Sequence, residues 1–164
     1  MQEALELLES KGDGWIINKM DARPVSLLKA PVYAYLSDST TARELYEEAR
    51  EELERRIEDE PKDPRFQSSL GLAYAGLGRH EEAIQHGKLA VELLPVSEDA
   101  FYGIEYEYDL AIIYITIGEY EAGLNHLKRL LSIHSWISPS FLEMDIRLFK
   151  AWTDPTFRDD ILGQ

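Results

Sequence analysis

Residues 64–95 read PRFQSSLGLAYAGLGRHEEAIQHGKLAVELLP, and the pattern of this stretch decides the fold. Asp63 before Pro64 predicts a helix start, because the carboxylate accepts orphan backbone N–H groups and proline lacks only a donor that the first turn leaves unpaired. Leu70, Ala73, Tyr74 and Leu77 recur at spacings of three and four, the stripe of an amphipathic helix. Gly71 lies beside that stripe, where a larger side chain would hold a second helix away. Gly78 falls where a left-handed residue ends a helix, and Glu81 and Glu82 place negative charge at the start of the next one. Ala83, Ile84, Ala90, Val91 and Leu94 then form an apolar face that Pro95 ends. Two helices joined by a tight turn and each half covered cannot fold alone, so the stretch predicts a unit that repeats.

Leu70, Gly71, Tyr74, Gly78, Ala83, Ala90 and Pro95 fall at the offsets of the tetratricopeptide repeat signature, and the stretch resembles that family. Gln67 and Gly87 stand where the signature usually carries aromatics, which puts the local packing at issue but not the fold. The resemblance implies an all-α, right-handed superhelical stack of helix-turn-helix hairpins, without a cofactor, that recognises protein.

The neighbouring sequence extends the pattern in both directions. Over 1–22 it predicts a partial helix, QEALELLES, followed by a connector whose Trp15, Ile16 and Ile17 pack on the first hairpin. Over 23–61 the unit returns in weaker form, with Ala30 and Tyr33, a polar turn at 37–40, then Ala42, Tyr46 and Ala49. The excess length predicts a second helix prolonged through EELERRIEDE, with Glu51–Arg55 and Glu52–Arg56 pairs on a solvated face. After the unit at 64–97, a third spans 104–135: Leu110, Ala111, Tyr114 and Gly118 repeat Leu70, Gly71, Tyr74 and Gly78. Residues 136–164 abandon the pattern. Ser138 with Pro139, and Asp154 with Pro155, start short helices that read as a cap within one 164-residue domain. The order LLSIHSWISPSFLEMDIRLFKAWTDPTFRDDIL resembles the end of repeat regions in large bacterial signalling and regulatory proteins. Asp154, Pro155 and Phe157 match that ending, and Ile146 replaces its usual proline.

Composition narrows the function classes. There are 17 Lys and Arg against 31 Asp and Glu, a net charge of −14, which would repel phosphate backbones and anionic lipid. Nucleic acid is not an expected partner. The chain has no run of eighteen apolar residues, so direct membrane insertion is not expected either. Cysteine is absent, which excludes a disulfide framework, a thiolate nucleophile and a cysteine zinc knuckle. Gly71, Gly76 and Gly78 lack the Lys-Ser or Lys-Thr of a phosphate loop. His86 and His126 share one repeat position, near His80 and Glu82, but no matched carboxylate cluster marks a metal site. Glu105, Glu107, Asp109, Glu143 and Asp145 are candidates for paired carboxylates, yet glutamates on helices are abundant in so acidic a chain. No catalytic residue, metal or cofactor is expected.

In a stack of such hairpins the first helices line a concave surface. The family's groove offsets fall on Leu27, Pro31, Ala34 and Tyr35, then Arg65, Ser68, Leu72 and Ala75, then Glu105, Tyr108, Ile112 and Ile115. This mostly apolar set predicts binding of an apolar partner segment. Ser68 with Leu72, and Tyr108 with Ile112, replace the lysine and asparagine that grip a terminal carboxylate in related modules, so peptide C-termini are not expected ligands. Two alternatives stand beside this reading. One is a spacer or self-association module whose groove is filled by its own ends, and the other is a sensor that binds a small ligand there.

Overall fold

The computed structural model describes residues 2–12 and 14–163. Helix α1 (Gln2–Ser10) is followed by two short strands, β1 (Trp15–Ile17) and β2 (Ala22–Pro24). Three antiparallel helical hairpins come next: α2 (Val25–Tyr35) with α3 (Ser39–Asp59), α4 (Pro64–Gly76) with α5 (His80–Leu93), and α6 (Gly103–Thr116) with α7 (Tyr120–Ser132). The C-terminal segment consists of α8 (Pro139–Met144), 3-10 turns at Ile146–Leu148 and Ala151–Thr153, and α9 (Pro155–Leu162). The architecture is an all-α stack of helical hairpins carrying one small β-hairpin.

Local chemistry explains the boundaries. The carboxylate of Asp63 accepts from the backbone N–H of Arg65, Asp38 from Thr41, Ser138 from Phe141 and Asp154 from Thr156. Gly78 and Gly118 end α4 and α6 in the left-handed region, at φ +74° and +91°. Helix α3 runs for 21 residues, as the acidic stretch predicts. Glu51 pairs differently from expectation. Arg50 takes Glu47 and Glu54, Glu51 turns to Arg50, and Arg56 lies over the ring of Trp15.

The stretch expected to be a connector is a β-hairpin. Trp15 pairs with Pro24, Ile16 with Arg23 and Ile17 with Ala22. Asn18 closes the turn: its side-chain oxygen accepts from the N–H groups of Met20 and Asp21, and its own N–H donates to the Asp21 carbonyl. Only Trp15 of the three apolar residues packs inward, edge-on to Phe66 at 5.9 Å.

The departures at Gln67 and Gly87 have a packing reason. A Cβ on Gly87 would lie 2.7 Å from Ile113 Cδ1 and 2.9 Å from Leu110 Cδ1, so α6 occupies the space that an aromatic would need. Gln67 donates from Nε2 to the Pro61 carbonyl at 2.8 Å and meets His86 Nδ1 with Oε1 at 2.6 Å. The core runs unbroken from Leu53, Leu70 and Tyr74 through Ile113 and Leu127 into the C-terminal segment, where Leu142, Leu148, Ala151, Phe157 and Ile161 are buried in the same cluster.

Candidate functional site

The first helices of the hairpins, α2, α4 and α6, line the concave face, and two segments of the chain lie on it. From the N-terminal side comes the β-hairpin. Arg65 donates to the Asn18 carbonyl, Ser69 to that of Ala22, and Tyr106 to that of Met20. Arg23 then reaches between Glu105 and Asp109, with Nη2 at 2.8 Å from each carboxylate, and its Nε lies 2.8 Å from Asp21. From the C-terminal side comes the cap. Trp136 and Phe141 pack edge-on to Tyr108, whose hydroxyl donates to Asp145 at 2.6 Å. Arg147 binds Asp145 through Nε and Nη2 and donates from Nη1 to Asp109 at 3.0 Å.

Asp109, 1% exposed, is the point where the two segments meet. One of its oxygens accepts from Arg23 and from the Ser68 hydroxyl, and the other accepts from Arg147. A single buried carboxylate on α6 thus clasps both ends of the chain. The surrounding charges are shaped by burial. Burial and the neighbouring Asp109 push the Glu105 carboxyl up to about 8. At Asp145 burial acts against ionisation, but Arg147 and the Tyr108 hydroxyl overcome it and bring the carboxyl down to about 2.

Beyond the clasp the concave face stays open as a pocket of about 340 Å³. Leu27, Pro31 and Ala34 of α2, Leu72 of α4, and Ile112 and Ile115 of α6 supply its apolar lining. Tyr46 stands in it from α3, its phenol pushed up to about 12 by burial. The cap supplies the remaining wall, from Asp145 through Ala151. Phe149 meets Tyr35 edge-on at 5.0 Å, and Tyr35 and Tyr120 are each 44% exposed.

The family model for the tetratricopeptide repeat matches residues 27–98, from α2 to just past the hairpin of α4 and α5. Over that segment the chain is similar to tetratricopeptide repeats. None of the curated proteins matches it. The α6–α7 hairpin continues the repeat geometry, since Tyr114 stacks on His126 as Tyr74 stacks on His86. Tetratricopeptide repeats mediate protein recognition and scaffolding and are generally not catalytic.

The repeat positions named from sequence fall where the hairpins touch. Leu70, Tyr74, Ala83, Ala90, Leu110 and Ala111 are buried, Gly71 lies against Gly87, Tyr114 is partly buried, and Pro95 follows the end of α5. The groove positions divide. Leu27, Leu72, Ile112 and Ile115 line the pocket, with Tyr35 beside its mouth. Ser68, Glu105 and Tyr108 do not line an open groove, while Arg65 lines a separate surface depression with Lys19, Pro61 and Tyr106. Glu105 meets Arg23 of the β-hairpin, the ring of Tyr108 meets Phe141 of the cap, and the Ser68 hydroxyl donates to Asp109 of α6, the carboxylate that both segments bind. The candidate carboxylates divide as well. Glu105, Asp109 and Asp145 meet, but on arginines, while Glu107 turns to His126 and Arg129. Glu143 is exposed. His86 is held by Gln67, so each of the paired histidines bonds within its own hairpin. Arg23 and Arg147, the residues that close the groove, were missed by sequence reasoning. A basic residue just before the first hairpin and another within the cap were the only signals.

Proposed function

We propose that this repeat domain is a non-catalytic recognition module of a larger bacterial signalling or regulatory protein, and that it takes an apolar side chain of a partner protein into the residual pocket. The observation that carries the proposal is the pocket itself. It is apolar where α2, α4 and α6 converge, it is flanked by the half-exposed Tyr35 and Tyr120, and its volume falls in the range of sites that take small groups. A whole helix, about 10–12 Å across, does not fit beside the β-hairpin and the cap, so the partner contributes an anchor rather than a buried face.

The test uses peptides selected on the chain from a random library and titrated against variants. Ala34→Trp, which fills the pocket from α2, should weaken selected peptides more than about tenfold. Peptides that bind this variant as tightly as the parent would contradict the reading.

A second reading, a spacer that stacks on other copies, is favoured by the covered groove and by Leu7 and Ile17, each more than half exposed toward the N-terminal end. Light scattering that gives one mass across a concentration series would remove it.

A further inference from the structure

The polar edge of the pocket has a charge pattern opposite to that of the chain. Its charged lining is Arg23, Asp145, Arg147 and Lys150, three cations to one anion, whereas the sequence holds 17 basic and 31 acidic side chains. The one anion is already engaged. Oδ1 of Asp145 accepts from the backbone N–H and Nε of Arg147, and Oδ2 accepts from Nε and Nη2 of Arg147 and from Tyr108. The other acids of the clasp, Asp21, Glu105 and Asp109, bind Arg23 and Arg147 but are not part of the pocket lining. An incoming polar group therefore meets the Lys150 ammonium beside guanidiniums that already hold carboxylates, so Lys150 is the principal donor and Arg147 adds the N–H groups its carboxylates leave over. Lys150 is exposed, its Nζ 5.8 Å from the ring of Phe149, and it forms no salt bridge among the described residues.

We infer that the partner segment carries an acidic residue, Asp or Glu, beside its apolar anchor, and that Lys150 with Arg147 receives that carboxylate. The inference rests on the pocket reading above and specifies its ligand. An acidic flank gains little from the chain's long-range field, which is repulsive at −14, so selectivity comes from the local donors. This recognition differs from a grip on a terminal carboxylate, because the acid is a side chain and the anchor beside it supplies most of the affinity.

The experiment uses the full chain and a panel of fluorescent decapeptides with one central Trp, Phe or Leu, flanked by Glu, Gln or Lys and amidated at the C-terminus. The parent should bind Glu-flanked peptides about fivefold more tightly than their Lys-flanked counterparts. Lys150→Glu should abolish or reverse that order. Lys88→Glu, which makes the same change in net charge at an exposed position of α5, should preserve it. Equal affinity for the Glu and Lys series, or an order unchanged by Lys150→Glu, overturns the inference. If Ala34→Trp abolishes binding while the flanks prove indifferent, the pocket reading stands and the acidic flank falls. If Ala34→Trp changes nothing, or no panel peptide binds the parent, both fall.

Discussion

Two residues on α4, Gly71 and Tyr74, show how little freedom the repeat geometry leaves. A Cβ at Gly71 would lie 2.8 Å from Ile113 Cδ1, and also 3.0 Å from the Gly87 nitrogen and 3.1 Å from the Ala83 carbonyl. The last two are backbone atoms that cannot rotate aside. Gly71→Leu should therefore cost about 1–3 kcal/mol by overpacking, read as a lowered denaturant midpoint with the slope retained. Tyr74 does the opposite and fills space. It is buried, stacks on His86 at 5.4 Å, lies under Arg79 and donates to Glu54 at 2.6 Å. Tyr74→Ala should cost about 3–5 kcal/mol through lost burial and the cavity left behind. Midpoints unchanged in both variants would contradict the packing described.

At the scale of elements, the β-hairpin and the cap depend on each other through Asp109. Asp109→Ala would leave Arg23 and Arg147 buried without their shared carboxylate, a loss of about 3–5 kcal/mol for a broken buried pair. Hydrogen exchange should then quicken in Trp15–Ile17 and in Ile146–Leu148 together, although the substitution lies on α6. Faster exchange in one segment alone would show that the clasp does not join them. The hairpins were legible in the sequence because their signals are local. The 3–4 spacing of Leu70, Ala73 and Tyr74, the capping by Asp63, and Gly78 in its left-handed turn each act within a few residues. Filling of the groove by the chain's own ends stood as one alternative in the sequence, but the residues that hold them there were not legible. Arg23 and Asp109 are 86 positions apart, and in a chain with 31 acids Glu105, Asp109 and Asp145 looked like composition. Register placed Tyr108 on the concave face, but no local signal revealed that Phe141 and Trp136 would cover it.

For the whole molecule, the clasp predicts how stability follows pH. Glu105 has an ordinary value of 4.5 and a folded value of about 8. A carboxyl raised by folding contributes stability in full below 4.5 and loses it as pH climbs toward 8. Tm should fall from pH 5 to pH 8, and Glu105→Gln, which keeps an oxygen for Arg23, should flatten that fall. Asp145 acts in the reverse sense. Its carboxyl is lowered from 3.8 to about 2, so its contribution is present above 3.8 and disappears as pH drops toward 2. An alkaline limb as steep in Glu105→Gln as in the parent would show that Glu105 is not the buried proton carrier.

The β-hairpin and the cap fill most of the concave face and leave a pocket open where α2, α4 and α6 converge. The absence of cysteine allows a direct test by single-cysteine labelling, with Ser68→Cys beneath the clasp and Ala34→Cys in the pocket wall. In the folded protein a thiol-reactive reagent should label Ala34→Cys readily and leave Ser68→Cys untouched until denaturant unfolds the chain. Labelling of Ser68→Cys as fast as Ala34→Cys, with helix content unchanged, would mean that the groove is open and the account is wrong.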